Sequence, residues 1–400
     1  MTVSTIFNKL VDELADPIIR TMALYAQDQD EKKVDVSIGV YKSETGGSFT
    51  FPSVVQAKEV IRANDPGHNY TNMQGIPEFR AGAQRVVFGD ETNGNIASLQ
   101  TISGTGALHM AILVLKAAGY QNYYVGTPTW SNYVPMIEHI DGKINTYRYY
   151  NETTKEIDFD ALVNALSTAP EYSIFLLQAC CHNPTGADLT QEQWIKVIDL
   201  MKQRNLIPLL DMAYQGFSSG NKDTDAWAAR YLYKQDIDFL VCQSFAKNLG
   251  LYGERVGCLH VVVKDKDYMP NAVSTLVALF RHECSFAPAF GARVASTIFQ
   301  NPELHAVWDK DVADITNRLK SVRQQVYDRL VKLGTPGKWD HVIKQTGLFW
   351  FSGLTPVQNQ RLLDEFHIYS TGVGRVNVAG LNNGNIDYVC KAIDHIVRSS

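Results

Sequence analysis

The chain has little that would staple it, anchor it or give it charge of one sign. Six cysteines in 400 residues are too sparse for a disulfide framework, and Cys180 and Cys181 stand side by side inside an apolar run, a poor place for a staple. Reduced thiols and a cytoplasmic setting are therefore expected. No stretch approaches the ~18 consecutive apolar residues of a membrane-spanning helix. The opening MTVSTIFNKLVDEL carries Asp12 and Glu13 and lacks the apolar centre of a leader peptide. Lys and Arg number 37 against 42 Asp and Glu, so the net charge of -5 offers no broad electrostatic footprint for nucleic-acid phosphates or an anionic membrane. Internal repeats and low-complexity tracts are absent as well. What remains is an ordinary globular composition, 45% hydrophobic and 20% charged, with a length that suggests two domains at roughly 150 residues each.

The middle of the chain is the most legible. Residues 172–178 (YSIFLLQ) are an apolar run suited to a buried strand, followed by the breaker cluster HNPTG at 182–186. Thr190 and Gln193 form a capping box, and Trp194, Ile195, Ile198 and Met201 share one face, which predicts a helix over about 190–204. A second apolar run, Leu206 to Leu210, ends at Asp211, although Pro208 argues against a central strand there because it cannot donate to a ladder. A third, Phe239 to Cys242, leads into SFAKNLG. Strands alternating with helices imply an α/β fold around a mostly parallel sheet, whose ligands bind beyond the carboxyl ends of the strands. Asn183, Asp211 and Lys247 are thereby placed at one edge of one sheet. Upstream, the turn Ser103 to Gly106 precedes a helix over 107–118 that is apolar almost all round, and its N-terminus can hold an anion. Residues 303–333 read as one long helix ending at Gly334, a bridge between lobes. Strand candidates at Leu348 to Phe351 and Gly374 to Val378 belong to a small domain completed by the N-terminal segment.

Lys247 centres the chemical reading. A lysine at a strand end, desolvated or crowded by another cation, is suited to Schiff-base chemistry. Alone it reads as a surface lysine, but Arg255 follows by eight residues and Ser244 precedes by three, so a phosphate could be held beside the amine. The backbone of Ser103, Gly104 and Thr105 offers donors to the same phosphate. Asp211 is either a helix cap or turn former, the commoner role at a strand end, or the partner of a pyridine ring nitrogen, which it would keep protonated. Tyr214 can donate to a ring oxygen, and Trp130 in TPTWSNY is either a core aromatic or a stacking surface. Taken singly, each of these has an ordinary structural reading.

Together, the strings SGTGAL, PTW, HNPTG, DMAYQGF, SFAKNLGLYGERVG and GRVNVAGL, in this order from about residue 34 to the end, resemble the aspartate aminotransferases of the class I pyridoxal-phosphate enzymes, including their broad aspartate/aromatic members. The resemblance implies the fold type I architecture, with a large cofactor-binding domain at 43–312 and a small domain made of 1–42 and 313–400. It implies a transaminase that moves the amino group of aspartate, and of aromatic amino acids, to 2-oxoglutarate in ping-pong half reactions. Lys247 would hold pyridoxal 5'-phosphate as a Schiff base and then move the proton at the α-carbon. Asp211 would pair with the ring nitrogen, Asn183 and Tyr214 with the phenolic oxygen, and Trp130 would stack on the ring. Ser103, Gly104, Thr105, Ser244 and Arg255 would bind the phosphate, joined by Tyr70 from the second subunit of a homodimer. Arg375 would clamp the substrate α-carboxylate with help from the backbone at Gly39, while Arg281 would read a side-chain carboxylate across the interface. No metal is expected.

Three departures are visible. Ser37 stands where the family usually has glycine, Ala246 replaces a common serine, and Ser285, Phe286, Ala287, Pro288 replace a Ser-Asn-Pro-Pro string. A plain reading of Arg281 is a helix-end residue paired with Glu283. Two rival functions remain: a different reaction on the same cofactor, such as a β-lyase or decarboxylase, and a non-catalytic ligand sensor, which would need a DNA-binding segment for which the N-terminus leaves no room.

Overall fold

Runs that are apolar without alternation belong to strands covered on both faces, and that is where they are found. The computed structural model describes residues 5, 7, 8, 10 and 17–399; Asp12 and Glu13 fall outside them. Its main sheet has seven strands: β1 (Ile96–Ile102), β2 (Asn122–Thr127), β3 (Lys143–Arg148), β4 (Ile174–Gln178), β5 (Ile207–Met212), β6 (Phe239–Ser244) and β7 (Val256–Val262). They lie in the order β1-β7-β6-β5-β4-β2-β3, and only β7 runs against the rest.

Helices cover both faces. On one side Ser103–Ala117 and Met269–Glu283 pack Leu108, Ile112, Leu276 and Phe280 against Leu99, Leu176, Leu209 and Leu240. On the other, Phe159–Thr168, Gln191–Gln203 and Trp227–Tyr233 bring Leu162, Trp194, Ile198 and Leu232 onto Phe175, Leu177, Leu210 and Val241. Alternate residues of each strand thus feed two separate cores. The helix Gln191–Gln203 starts with the predicted capping box: the Thr190 hydroxyl accepts from Gln193 N–H at 3.2 Å, and the Gln193 side chain accepts from Thr190 N–H at 3.0 Å.

Two expectations need correction. Pro208 sits inside β5, a central strand after all. The N–H of Ile207 points to the β4 side, where it donates to the Ser173 carbonyl, so the Pro208 nitrogen faces β6; pairing with β6 begins only at Leu209, and no ladder donor is missing. Ser103 to Gly106 is not a turn ahead of a helix but the helix's own first turn.

A third core gathers on the long helix Pro302–Leu333, which buries Trp308, Val312, Ile315 and Leu319 and ends, as predicted, at Gly334 in the left-handed conformation (φ 65°). Beyond it, Phe349–Phe351 pairs antiparallel with Arg375–Asn377 so that Phe351 lies opposite Arg375. Val34–Asp35 pairs with Ile368–Tyr369, tying the first described strand to the C-terminal part. Arg323, on the buried face of the long helix, fixes the loop that precedes Phe349. Its guanidinium donates to the carbonyls of Val342, Thr346, Gly347 and Phe349 at 2.6–3.2 Å.

Replacing Arg323 with methionine keeps the apolar stem but strands those carbonyls, each worth about 1–3 kcal/mol when buried and unsatisfied. We expect the thermal midpoint to drop by at least about 5 °C. A drop under ~1 °C in scanning calorimetry would mean that other donors or water serve these groups equally well.

Candidate active site

Six parallel strands deliver their carboxyl ends to one edge of the sheet, and the reverse strand β7 begins there. The residues just past those ends form one cavity, lined by Ser103, Gly104 and Thr105 after β1, Trp130 after β2, Gln178 and Asn183 after β4, Asp211 and Tyr214 at β5, Ser244 and Lys247 at β6, and Arg255 before β7. Ten of the residues singled out in the sequence are thus brought together by topology alone.

The anion-binding side is built from the backbone. Ser103 and Arg255 both take positive φ, 63° and 56°, and Ser103 N–H donates to the Arg255 carbonyl at 2.9 Å, which joins the helix start to the start of β7. Gly104 allows this wall to close on β6: a Cβ there would stand 2.8 Å from that of Ser244. The Ser244 hydroxyl accepts from Ala246 N–H at 3.2 Å, and Arg255 donates to the Tyr252 carbonyl at 2.8 Å while facing the cavity. A helix N-terminus, a serine and a guanidinium on one wall offer the donors and charge that suit a phosphate.

The same cavity holds Lys247 and Asp211. Burial, together with the positive charges of Arg255 and Arg375, pushes the Lys247 ammonium below its ordinary value, against the pull of Asp211. Asp211 is buried, and its Oδ2 accepts the Tyr133 phenol at 2.5 Å whereas Oδ1 has no hydrogen-bond partner. A capping or turn role is thereby excluded for its carboxylate. A buried carboxylate oxygen without a partner, on a residue that lines a cavity, needs a donor, and the ring N–H of a protonated pyridine is one of the right charge. The anion-binding wall, the lysine and this oxygen therefore fit pyridoxal phosphate, and Trp130 lines the same cavity. Burial also holds the Tyr214 phenol well above its usual value, so it remains a donor.

Arg375 enters from the C-terminal part. Its Nη1 donates to Asn183 Oδ1 at 3.0 Å, its Nη2 donates to the Ser37 carbonyl at 2.8 Å, and the guanidinium lies 4.2 Å from the centre of the Phe349 ring. It also lines, with Trp130, Asn183 and Val373, a second cavity beside the first. Gly39 lies close by, where a Cβ would come within 2.9 Å of Phe349 and 3.8 Å of the Tyr214 hydroxyl. Tyr70 and Arg281, by contrast, line neither cavity of their own chain. Tyr70 is 85% exposed and stacks on Phe286 with ring centres 4.7 Å apart; Arg281 donates to Ser285 Oγ at 2.7 Å and lies 5.7 Å from the Phe286 ring centre. The Arg281–Glu283 pair read from the sequence is not formed, because residues two apart on a helix point to different sides, and Glu283 pairs with His109 instead.

Two contributors escaped the sequence reading. Gln178, the polar end of YSIFLLQ, brackets Asn183 by accepting its N–H at 2.8 Å and donating to its carbonyl at 2.9 Å. Tyr133 holds Asp211, and nothing in the string TWSNY signals a contact 78 residues away.

This arrangement fits one class: an α/β enzyme with a lysine amine, a buried carboxylate and anion-binding groups gathered in a cavity at the carboxyl edge of its sheet. Comparison with known proteins is more specific. Residues 31–393 match the model of the family described as aminotransferase class I and II. The cytoplasmic aspartate aminotransferase of Saccharomyces cerevisiae is 40% identical over 409 residues, covering 99% of this chain and 98% of that one. The solved structure of that cytoplasmic yeast enzyme superposes with a TM-score of 0.96 at 39% identity, over 98% of this chain and 99% of the other. An aromatic-amino-acid aminotransferase from Burkholderia pseudomallei, solved covalently bound to pyridoxal phosphate, does so at 0.95 and 31% identity, over 98% and 100%. The chain belongs to the class I and II aminotransferases.

Asp211 also sets a pH dependence. Burial pushes its carboxyl up to about 6, opposed by the Tyr133 hydrogen bond and the Lys247 charge; an unfolded aspartate titrates near ~3.9. Between those values the folded chain binds a proton that the unfolded chain does not. Stability of the cofactor-free protein therefore falls as pH rises from about 4 to about 6, by at most about 3 kcal/mol from this group. Asp211→Asn removes that loss. The thermal midpoint of the cofactor-free variant, relative to the cofactor-free parent, should rise from pH 4 to about pH 6 and level off above it, and a difference flat with pH would show that the carboxyl titrates normally.

Proposed function

We propose that the protein is a pyridoxal-phosphate-dependent aspartate aminotransferase, passing the amino group to 2-oxoglutarate and accepting aromatic amino acids as well. The observation that carries this is the meeting of Lys247, the open oxygen of Asp211 and the Ser103–Arg255 phosphate wall in one cavity. The names of the nearly full-length relatives support aspartate as substrate and a cytoplasmic location. They favour amino-group transfer over a β-lyase, a decarboxylase or a sensor.

When bound, pyridoxal phosphate supplies an electron sink for the bond broken at the α-carbon. The chain does the rest. Ser103, Gly104, Thr105, Ser244 and Arg255 hold the phosphate, and Asp211 keeps the ring nitrogen protonated. Asn183 and Tyr214 hold the phenolic oxygen, and Trp130 closes one face of the ring. Lys247 would hold the cofactor through its amine and would take and return the proton at the α-carbon; its depressed affinity for protons suits such a base. Arg375, braced by Asn183 and Ser37, offers a fork to the α-carboxylate, with the backbone at Gly39 beside it. We assign the cofactor to a large domain at 43–312 and the closing carboxylate clamp to a small domain of 1–42 and 313–400.

The exposure of Tyr70 and the absence of Tyr70 and Arg281 from their own chain's cavities support a homodimer in which each serves the other copy. Lys247→Ala should show neither turnover nor a borohydride-reducible adduct, and Tyr70→Ala/Arg281→Ala should be poorly active. Mixed and refolded together, the two should regain activity through hybrid dimers. A pyridoxyl group on another lysine of the reduced parent protein, or a mixture no better than its parts, would sink this assignment.

Arg281 divides the substrates. Dicarboxylates carry a second carboxylate and aromatic amino acids do not, so Arg281→Ala should lower kcat/KM for aspartate by roughly 10- to 150-fold, the worth of one charge-assisted pair, while sparing phenylalanine. Equal losses for both substrates would make Arg281 structural.

A further inference from the structure

The Asp211 carboxylate is supported from one side only. Its Oδ2 receives the Tyr133 hydroxyl at 2.5 Å, both residues are buried, and Oδ1 is left for the cavity. Tyr133 opens the short helix Tyr133–Glu138 directly after the turn that follows Trp130: its N–H donates to the Trp130 carbonyl at 3.2 Å, and its ring meets the indole edge-on at 5.4 Å and 88°. The phenol is thus wedged between the aromatic wall of the cavity and the carboxylate beneath it. We propose that Tyr133 is a positioning residue that holds Asp211 ionised, with Oδ1 turned to the ring nitrogen of the cofactor. This rests on the reading of the cavity as a pyridoxal-phosphate site.

The charges around the pair leave Tyr133 the role of fixed donor. Lys247, just past the end of β6, favours the ionised form of Asp211; Cys242 on β6 is a neutral thiol, its ionisation pushed well up by burial. Tyr214 lies near the pair, and Arg255 and Arg375 act on Lys247 rather than on the carboxylate. Burial and the neighbouring Asp211 charge hold the Tyr133 phenol well above its ordinary value, so it stays protonated wherever the enzyme works. Removing its proton donor leaves burial to push Asp211 further toward the neutral acid, which cannot keep a proton on the ring. A tyrosine that merely fills space between Trp130 and β5 would have no such effect, because phenylalanine fills the same space.

Tyr133→Phe tests this on two levels. In the cofactor-free full chain, the 13C-carboxyl resonance of Asp211, assigned by its loss in Asp211→Asn, should titrate at least about one pH unit higher in the variant. In the holoenzyme, kcat with aspartate should fall by about 10-fold or more, in the range of one hydrogen bond to a charged group, with KM changed less than about 3-fold. Reconstitution with N-methyl pyridoxal phosphate, whose ring nitrogen carries a fixed positive charge, separates this role from packing. With it, variant and parent should agree within about 3-fold. An unshifted Asp211 titration, or the same loss with both cofactors, would overturn the proposal. Failure of the parent itself to yield a pyridoxyl-lysine on reduction would instead overturn the cofactor reading, while the titration still decides whether Tyr133 supports Asp211.

Discussion

The site depends on one carboxylate that the fold buries at the end of a central strand. Asp211 cannot shed its cost of burial into water, so the surrounding chain must supply a donor and a cation. Tyr133 is that donor, and Lys247 is the cation. The compensation is partial, since the carboxyl is still pushed up to about 6. Partial compensation is what a cofactor site requires: a fully satisfied aspartate would have no oxygen left for a ring nitrogen, and an unsupported one would be neutral. The same cavity lowers the proton affinity of Lys247, so acid and base arise from opposite responses to one environment.

The geometry that allows this is the parallel sheet. Strands running the same way place their loops at one edge, and six of the seven here do so. The exception, β7, contributes by starting where the others end, which puts Arg255 against Ser103. The substrate side is assembled differently, from contacts far apart in the chain. Arg323 holds the loop before Phe349, Phe349 lies under Arg375, and Arg375 reaches Asn183, whose backbone Gln178 holds from β4. A change in the long helix can thereby be felt at the carboxylate clamp without touching it.

This contrast explains what could be read from the sequence. Lys247, Asp211 and Asn183 were legible because each follows an apolar run, and the alternation of strand and helix fixes which end of the strand faces the ligand. The position of Ser103 to Thr105 at a helix start on the cavity was legible for the same reason, although the turn proved to be the helix itself. Pro208 misled because the ladder rule concerns the side that the nitrogen faces, and that depends on where the neighbouring strand begins. Tyr133 was hidden because its partner lies 78 residues away and its string has no helical or strand period to orient it. Tyr70 and Arg281 were legible only by resemblance: neither lies at a strand end, and both look away from their own cavities.

The departure at Phe286 bears on substrate range. Where the family places a polar asparagine, this chain has a ring that stacks on Tyr70 and lies under Arg281. A guanidinium over an aromatic face keeps its charge while losing less hydration than it would in an apolar pocket, so it can rest there without an anionic partner. Arg281 also has a neutral hydrogen-bond partner in Ser285. An arginine with such a resting place can leave a carboxylate site at modest cost. On the reading that Arg281 serves the neighbouring copy, Phe286 lowers the penalty for admitting an uncharged aromatic side chain, and Tyr70 and Phe286 together present an apolar surface to receive it. Under the role proposed for Arg375, at the carboxylate common to both substrate classes, acceptance of both then requires no rearrangement of that residue.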